Sequence, residues 1–265
     1  MQYAHLSIEI IGSVARVTLD RPERLNALNE GLIASLTSFF TDLCERPDIR
    51  VVVLTGAGSA FCAGLDLKDA AEKPADPTVS TMLDAQRRLR NIIPAMRRCP
   101  QPIIAVLNGA ASGGGFAIAL AADIRVALPT ARMNAAFIRL GASACDMGVS
   151  YFLPRMIGSS AASHYLLTGR FIDAEAARAL GLVSFLGDEA AVRAEVDLLC
   201  ADLLRATPLG LRLTKEALNS TIDMPGLEAV IALEDRNQIL SLQGEDFREG
   251  VRAFLEKRAP AYKGR

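Results

Sequence analysis

Two stretches of this sequence share one plan, and that plan limits the folds open to the chain. Ile49 to Thr55 is a short β-branched run that closes on Gly56-Ala57-Gly58, and Ile103 to Leu107 repeats the pattern and closes on Asn108-Gly109. Runs this short and this apolar, ended by glycine, predict strands buried on both faces. A glycine-containing turn follows each run, and then a segment able to be helical, from Leu65 and from Gly114. Strand, turn and helix therefore recur as a structural repeat without matching side chains.

The remaining segments fit an α/β core with a helical end. Residues 7–19 carry Ile8, Ile10, Val14 and Val17 around Gly12-Ser13, which predicts a hairpin. Leu32, Ile33, Leu36, Phe39, Phe40 and Leu43 recur at helical spacing behind Asn29, a residue suited to the N-cap. Asp123 to Leu128 is a further strand candidate. Beyond about Ala190 the segments 188–206, 207–220, 225–242 and 244–257 read as amphipathic helices, separated by Thr207-Pro208 and Met224-Pro225-Gly226. This divides the chain into a core of residues 1–190 and a helical region of residues 191–265, whose wide apolar faces predict docking on the core or on another subunit. Glu72 to Ser80, rich in Pro, Asp and Ala, is the candidate mobile loop.

Charge and cysteine usage remove several function classes. A net charge of −1 with both signs mixed along the chain argues against broad attraction to nucleic acid or an anionic membrane, so any anion must meet a local site. The five cysteines, Cys44, Cys62, Cys99, Cys145 and Cys200, never form C-x-x-C, which points to neither a disulfide framework nor a zinc site and favours a reducing compartment. The amino terminus lacks a secretory pattern and no uncharged stretch approaches a membrane span, so the expected location is the cytoplasm. No metal-ligand spacing occurs.

Chemistry is concentrated at the two glycine turns. Gly58 to Lys68 (GSAFCAGLDLK) is a turn expected to enter a helix with its first N–H groups unpaired, and Asn108 to Phe116 (NGAASGGGF) sets three glycines before an apolar helix, where no side chain blocks a ligand. These segments, with the opening LDRPERLNALN, the block PQPIIAVLNGAASGGGFAIALAADIRVA, the segment LTGRFIDAEAARALGLV and the ending GVRAFLEKRAPAY, resemble the crotonase superfamily, the enoyl-CoA hydratase/isomerase family, over nearly the whole chain.

The resemblance implies an α/β spiral of ββα turns followed by a helical trimerisation region, as a homotrimer or a dimer of trimers. It implies an acyl-coenzyme A thioester as ligand, with coenzyme A part of the substrate and no separate cofactor. The backbone N–H groups of Leu65 and Gly114 match the family's oxyanion hole, which stabilises the negative charge that develops on a thioester oxygen. The backbone around Ala63, Asp66 and Leu67 would hold the adenine, Lys68 would approach the phosphates, and Arg24, Leu25 and Ala27 would line the opposite side of the groove. Phe254 and Lys257 match positions that reach coenzyme A from a neighbouring subunit.

The sequence departs from the family where proton transfer is done. Typical hydratases carry two glutamates that share the catalytic water; Ala117 and Phe137 stand in their places here, as substrate-pocket residues that cannot exchange a proton. The remaining acid is Asp146, at a position resembling the distal aspartate of dienoyl-CoA isomerases and the nucleophilic aspartate of chlorobenzoyl-CoA dehalogenases; the same residue suits a cap for the helix near Val149. His164, in a helical context, reads as a packed structural residue, Cys62 and Cys145 as small packed thiols, and no histidine stands near a serine to form a triad. The expected activity is that of an enoyl-CoA hydratase or isomerase using Leu65, Gly114 and Asp146. A non-catalytic acyl-coenzyme A binding protein, a thioester hydrolase and a carbon–carbon lyase are the alternatives.

Overall fold

The computed structural model describes residues 3–71 and 78–264. Its first strands form the expected hairpin, β1 (Leu6–Ile11) antiparallel to β2 (Val14–Leu19) across Gly12-Ser13. Helix α1 (Glu30–Asp42) follows, with Asn29 Oδ1 accepting the Leu32 N–H as N-cap and Leu32, Leu36, Phe39 and Phe40 turned into the core.

From here a long strand is repeatedly followed by a short one. β3 (Val51–Gly56) leads to β4 (Ala60–Cys62), then to α2 (Leu67–Ala71), α3 (Val79–Arg90) and α4 (Ile92–Arg98). β5 (Ile103–Leu107) leads to β6 (Ala110–Ser112) and α5 (Gly114–Ala121), and β7 (Ile124–Ala127) leads to β8 (Arg132–Asn134), α6 (Val149–Ile157) and α7 (Ser159–Thr168). The short strand β9 (Ile172–Asp173), α8 (Ala174–Ala179) and β10 (Phe185–Leu186) complete the core, and the chain ends in α9 (Glu189–Arg205), α10 (Pro208–Thr221), α11 (Leu227–Leu242) and α12 (Glu245–Leu255).

The long and short strands belong to different sheets. One has the order β1-β2-β3-β5-β7-β10, parallel apart from the first hairpin; the other has the order β4-β6-β8-β9, parallel apart from β8 and β9. Each ββα turn thus contributes one strand to each layer, and consecutive turns stack so that Cys62 pairs with Ala111 and Ser112 with Asn134. Strand β3 shows why its sequence runs apolar without alternation: Val52 and Leu54 enter the main core, while Val51 and Val53 face a second core on the other side. Helix α5 is buried along its whole length, as an apolar sequence with no polar stripe requires.

Two expectations change. The helix placed at Leu65 begins at Leu67, because Gly64 and Asp66 bond to Leu28 and hold Leu65 in a parallel bridge with it. Of the proposed loop Glu72 to Ser80, residues 72–77 lie outside the described residues, while Val79 and Ser80 already belong to α3, which Thr78 caps through its hydroxyl and the Thr81 N–H. Docking of the helical region on the core is as expected for α9, which packs Val192, Val196 and Cys200 against Val14, Val51, Ile104 and Val126 and completes the second core of the sheet.

Helix α10 is anchored differently. Lys215, only 6% exposed, reaches into the core, where its ammonium lies 2.8 Å from Asp123 Oδ2 and donates to the Gln101 carbonyl at 2.7 Å. Asp123 also accepts the Ile103 N–H, so this carboxylate joins β5 to the helical region. Leu218, Ile222, Leu227, Phe254 and Leu255 remain exposed on α10 to α12.

Candidate active site

Sheet stacking brings the two glycine turns together. Because β4 and β6 lie side by side, the residues leaving them, 63–66 and 113–115, run next to one another. The approach is too close for side chains: a Cβ on Gly64 would lie 2.7 Å from the Ser112 carbonyl oxygen, and one on Gly115 would lie 2.1 Å from the Cys62 carbonyl oxygen. Gly64 also has φ of +90°, a backbone conformation that excludes ordinary residues.

A third segment fixes the orientation of the Leu65 amide. Leu28 donates its N–H to the Gly64 carbonyl at 2.7 Å and accepts the Asp66 N–H at 3.1 Å, forming an isolated parallel bridge with Leu65. In such a bridge the central residue of one strand makes both bonds, so the N–H of the residue opposite points away from it. Leu65 is therefore left with an outward N–H by its pairing geometry rather than by a helix start. Gly114 opens α5, and the N–H of a first helical residue has no partner within its own helix. Neither amide donates a hydrogen bond among the described residues. The two amides are neighbours: a Cβ on Gly64 would stand 3.4 Å from the Gly114 nitrogen.

Arg21 and Asn26, which sequence reasoning did not single out, hold this backbone in place. Arg21 is buried; its Nη1 donates to the Ala27 carbonyl at 2.5 Å and its Nη2 lies 3.0 Å from Asp66 Oδ2. Burial alone would raise the Asp66 carboxyl, but the Asp69 N–H and the Arg21 guanidinium outweigh it and hold the group below the ordinary aspartate value. Asn26 accepts the Arg21 N–H and donates to the Ala57 and Ala60 carbonyls. Across the turns, Asn108 donates to the carbonyls of Gly56 and Gly58. The signal in the sequence was Arg21 and Asn26 themselves, polar residues within the opening LDRPERLN whose side chains satisfy backbone carbonyls.

The groove residues fall together as well. Leu25 accepts the Ala63 N–H at 3.0 Å, which sets Arg24, Leu25 and Ala27 directly beside Ala63, Asp66 and Leu67. Leu25, Leu67 and Lys68 are exposed, whereas the Asp66 side chain is committed to Arg21. Phe254 and Lys257 are exposed on and after α12.

A cavity of about 760 Å³ opens beside Leu65 between α1 and α3. Leu28, Ile33, Ala34, Met82, Ala85 and Leu89 give it an apolar wall, and Gln86 is an amide on the same face of α3. Gln86 Nε2 donates to Asp146 Oδ1 at 2.5 Å, and the same oxygen accepts the Met147 N–H at 2.7 Å. The N-cap of α6 is Gly148, so the Asp146 carboxylate does not cap that helix; its main-chain carbonyl accepts the Val149 N–H instead. Met147, held at φ of +48°, turns its sulfur toward Gly114, where an added Cβ would meet Sδ at 3.2 Å. Asp146 is thus bonded to a residue that lines the Leu65 cavity and adjoins a residue packed on Gly114.

Ala117 is completely buried in α5, and the half-buried Phe137 lays its ring over Gly113, where a Cβ would meet it at 3.2 Å. Burial pushes the Cys62 thiol up to about 12, which removes it as a thiolate nucleophile near neutral pH. Cys145 and His164, read as packed residues, are exposed instead, and neither lines the cavity. Among the described residues, no three His, Cys, Asp or Glu side chains cluster to hold a metal.

The comparisons agree with this architecture along the whole chain. The sequence model of the family described as enoyl-CoA hydratase/isomerase matches residues 9–265. The chain belongs to that family. It is 38% identical over 260 residues to an (E)-benzylidenesuccinyl-CoA hydratase of Thauera aromatica, covering 98% of this chain and 99% of the relative. It is 34% identical over 252 residues to a 1,2-epoxyphenylacetyl-CoA isomerase of Escherichia coli, covering 95% of each. The crystal structure of an enoyl-CoA hydratase from Bacillus anthracis superposes with a TM-score of 0.92 at 32% identity, covering 98% of this chain and 100% of that one. As a member of the enoyl-CoA hydratase/isomerase family, the protein has the crotonase fold, and an acyl-coenzyme A thioester substrate fits that family. No helix among the described residues is long and apolar enough to cross a membrane.

Proposed function

We propose that this enzyme binds an acyl-coenzyme A thioester with its carbonyl oxygen between the N–H groups of Leu65 and Gly114, and that Asp146 moves the proton that forms or quenches the enolate. The observation that carries this reading is the pair of adjacent, unpartnered amides. Charge on the thioester oxygen grows as the α-carbon loses a proton, and fixed donors that need no reorganisation stabilise it, each worth on the order of 3 kcal/mol of barrier.

With Ala117 and Phe137 at the positions of the usual glutamates, a two-carboxylate hydration has no pair of bases. One acid suffices for proton transfer along an enoyl chain, or for hydration through a single ordered water. The apolar surroundings of Gly113 and Gly114, built by Phe137, Met147 and Leu28, and the large cavity beside Leu65 suit a bulky or ring-bearing acyl group. The relatives named for 1,2-epoxyphenylacetyl and (E)-benzylidenesuccinyl esters support that choice. Arg24, Leu25, Ala27, Ala63, Leu67 and Lys68 would carry the coenzyme A. The exposed apolar residues of α10 to α12 would meet neighbouring subunits in a trimer, with Phe254 and Lys257 reaching the neighbour's ligand. Five unpaired cysteines fit work in the cytoplasm.

The test is turnover of a panel of 2-enoyl-, 3-enoyl- and dienoyl-coenzyme A esters, both short-chain and ring-bearing. Ring-bearing esters are expected to turn over faster than crotonyl-coenzyme A. Asp146→Asn is expected to lose on the order of 100-fold in kcat while ester binding survives. Wild-type activity in that variant removes Asp146 from the mechanism, and binding of every ester without turnover of any makes the protein a carrier.

A further inference from the structure

Helix α3 presents Met82, Ala85 and Leu89 to the cavity, and Gln86 stands on the same face. A primary amide on such a face gains from a fixed hydrogen-bond partner, and here that partner is a carboxylate 60 positions along the chain, Asp146, at 2.5 Å. The Met147 N–H converges on the same oxygen, Oδ1. A side-chain donor on α3 and the neighbouring main-chain N–H therefore fix the carboxylate in distance and in rotation, and among the described residues no hydrogen bond is made to its other oxygen, Oδ2.

We infer that Gln86 is a positioning residue for proton transfer: by holding Asp146 Oδ1 it presents Oδ2 to the α-carbon of the bound ester. The inference rests on the reading of Asp146 given above and adds the group that aims it. In the step it serves, the α C–H bond breaks, its electron pair moves to the thioester oxygen held by the Leu65 and Gly114 amides, and the proton goes to Oδ2. Return of a proton exchanged with solvent restores the ester, so in heavy water the net result is replacement of α-hydrogen by deuterium. A base displaced by about an ångström loses much of its rate without loss of substrate affinity, which separates this role from one in binding.

The experiment follows α-hydrogen exchange of phenylacetyl-coenzyme A in heavy water by nuclear magnetic resonance at saturating ester, with the dissociation constant of the same ester measured by calorimetry. Gln86→Met removes the donor at equal length and is expected to slow exchange about tenfold with affinity unchanged within about twofold. Gln86→Glu keeps the shape, sets a second carboxylate against Asp146, and is expected to slow it by about 100-fold. Adding Gln86→Met to Asp146→Asn is expected to cost nothing further, because the two act as one unit. Exchange at the wild-type rate in Gln86→Met, or a full tenfold loss on top of Asp146→Asn, overturns the positioning role while leaving Asp146 in place. Exchange at the wild-type rate in Asp146→Asn, or none in the wild-type protein with the ester bound, overturns the functional reading and the positioning role with it.

Discussion

Around Leu65 and Gly114 the backbone is packed without room for one extra carbon, whereas the segment from Leu140 to Cys145 that leads to Asp146 runs largely along the surface. The contrast is visible in two glycines. A Cβ on Gly115 would strike the Cys62 carbonyl oxygen at 2.1 Å, while one on Gly141 would meet nothing within 4 Å. The donor loops are tied by the buried Arg21–Asp66 pair and by the side-chain amides of Asn26 and Asn108. The acid is held by two hydrogen bonds to a single oxygen. The paired turns are thus part of the folded core, and the proposed acid sits at the end of a surface segment that can change without disturbing them.

The comparison can be broken most directly at Arg21. Arg21→Met leaves the Asp66 carboxylate buried without its counter-charge and is expected to cost about 3–5 kcal/mol of unfolding free energy, read by denaturant titration. In the wild-type protein the folded-state pKa of Asp66 lies below its unfolded value, so its ionised form contributes stability above about pH 4 that fades as pH falls through the lower folded value. Melting temperature followed from pH 6 to pH 3 should show that decline, and Arg21→Met should flatten it.

Gly115→Ala comes next, at about 3 kcal/mol, because the atoms it strikes are backbone and both turns must separate to admit it. The same change at Gly141 meets open space and is expected to cost only the left-handed strain at φ of +82°, about 1 kcal/mol. Equal losses at the two glycines would remove the contrast. The smallest effect is expected at the acid itself: Asp146→Asn keeps an acceptor for Met147 and should change stability by about 0.5 kcal/mol or less, even as turnover is lost. A large drop in melting temperature would make Asp146 a structural residue.

Much of this was legible in the linear chain. The strand repeats, the hairpin at Gly12-Ser13, the Asn29 cap and the four terminal helices all follow from local periodicity and turn chemistry, which act over a few residues. The glycine turns marked where backbone could approach a ligand. What was misplaced depended on distant partners. Leu65 reads as a helix start because nothing nearby announces that Leu28 pairs with it, and Cys145 reads as a packed thiol because burial is set by elements that adjoin it only in space. Gln86 and Lys215 look like ordinary helix-surface residues until their partners, Asp146 and Asp123, are brought to them.

By itself, the order of amino acids determined the kinds of elements, the family, and the places where glycine alone would fit, since those follow from sterics and from spacing along the chain. The tertiary structure decided which amides stay unpaired, which oxygen of Asp146 is held, and how the terminal helices are anchored. Each of these depends on the direction of groups brought together from distant parts of the chain, such as Leu28 on Leu65, Gln86 on Asp146 and Lys215 on Asp123, and local sequence does not set such directions.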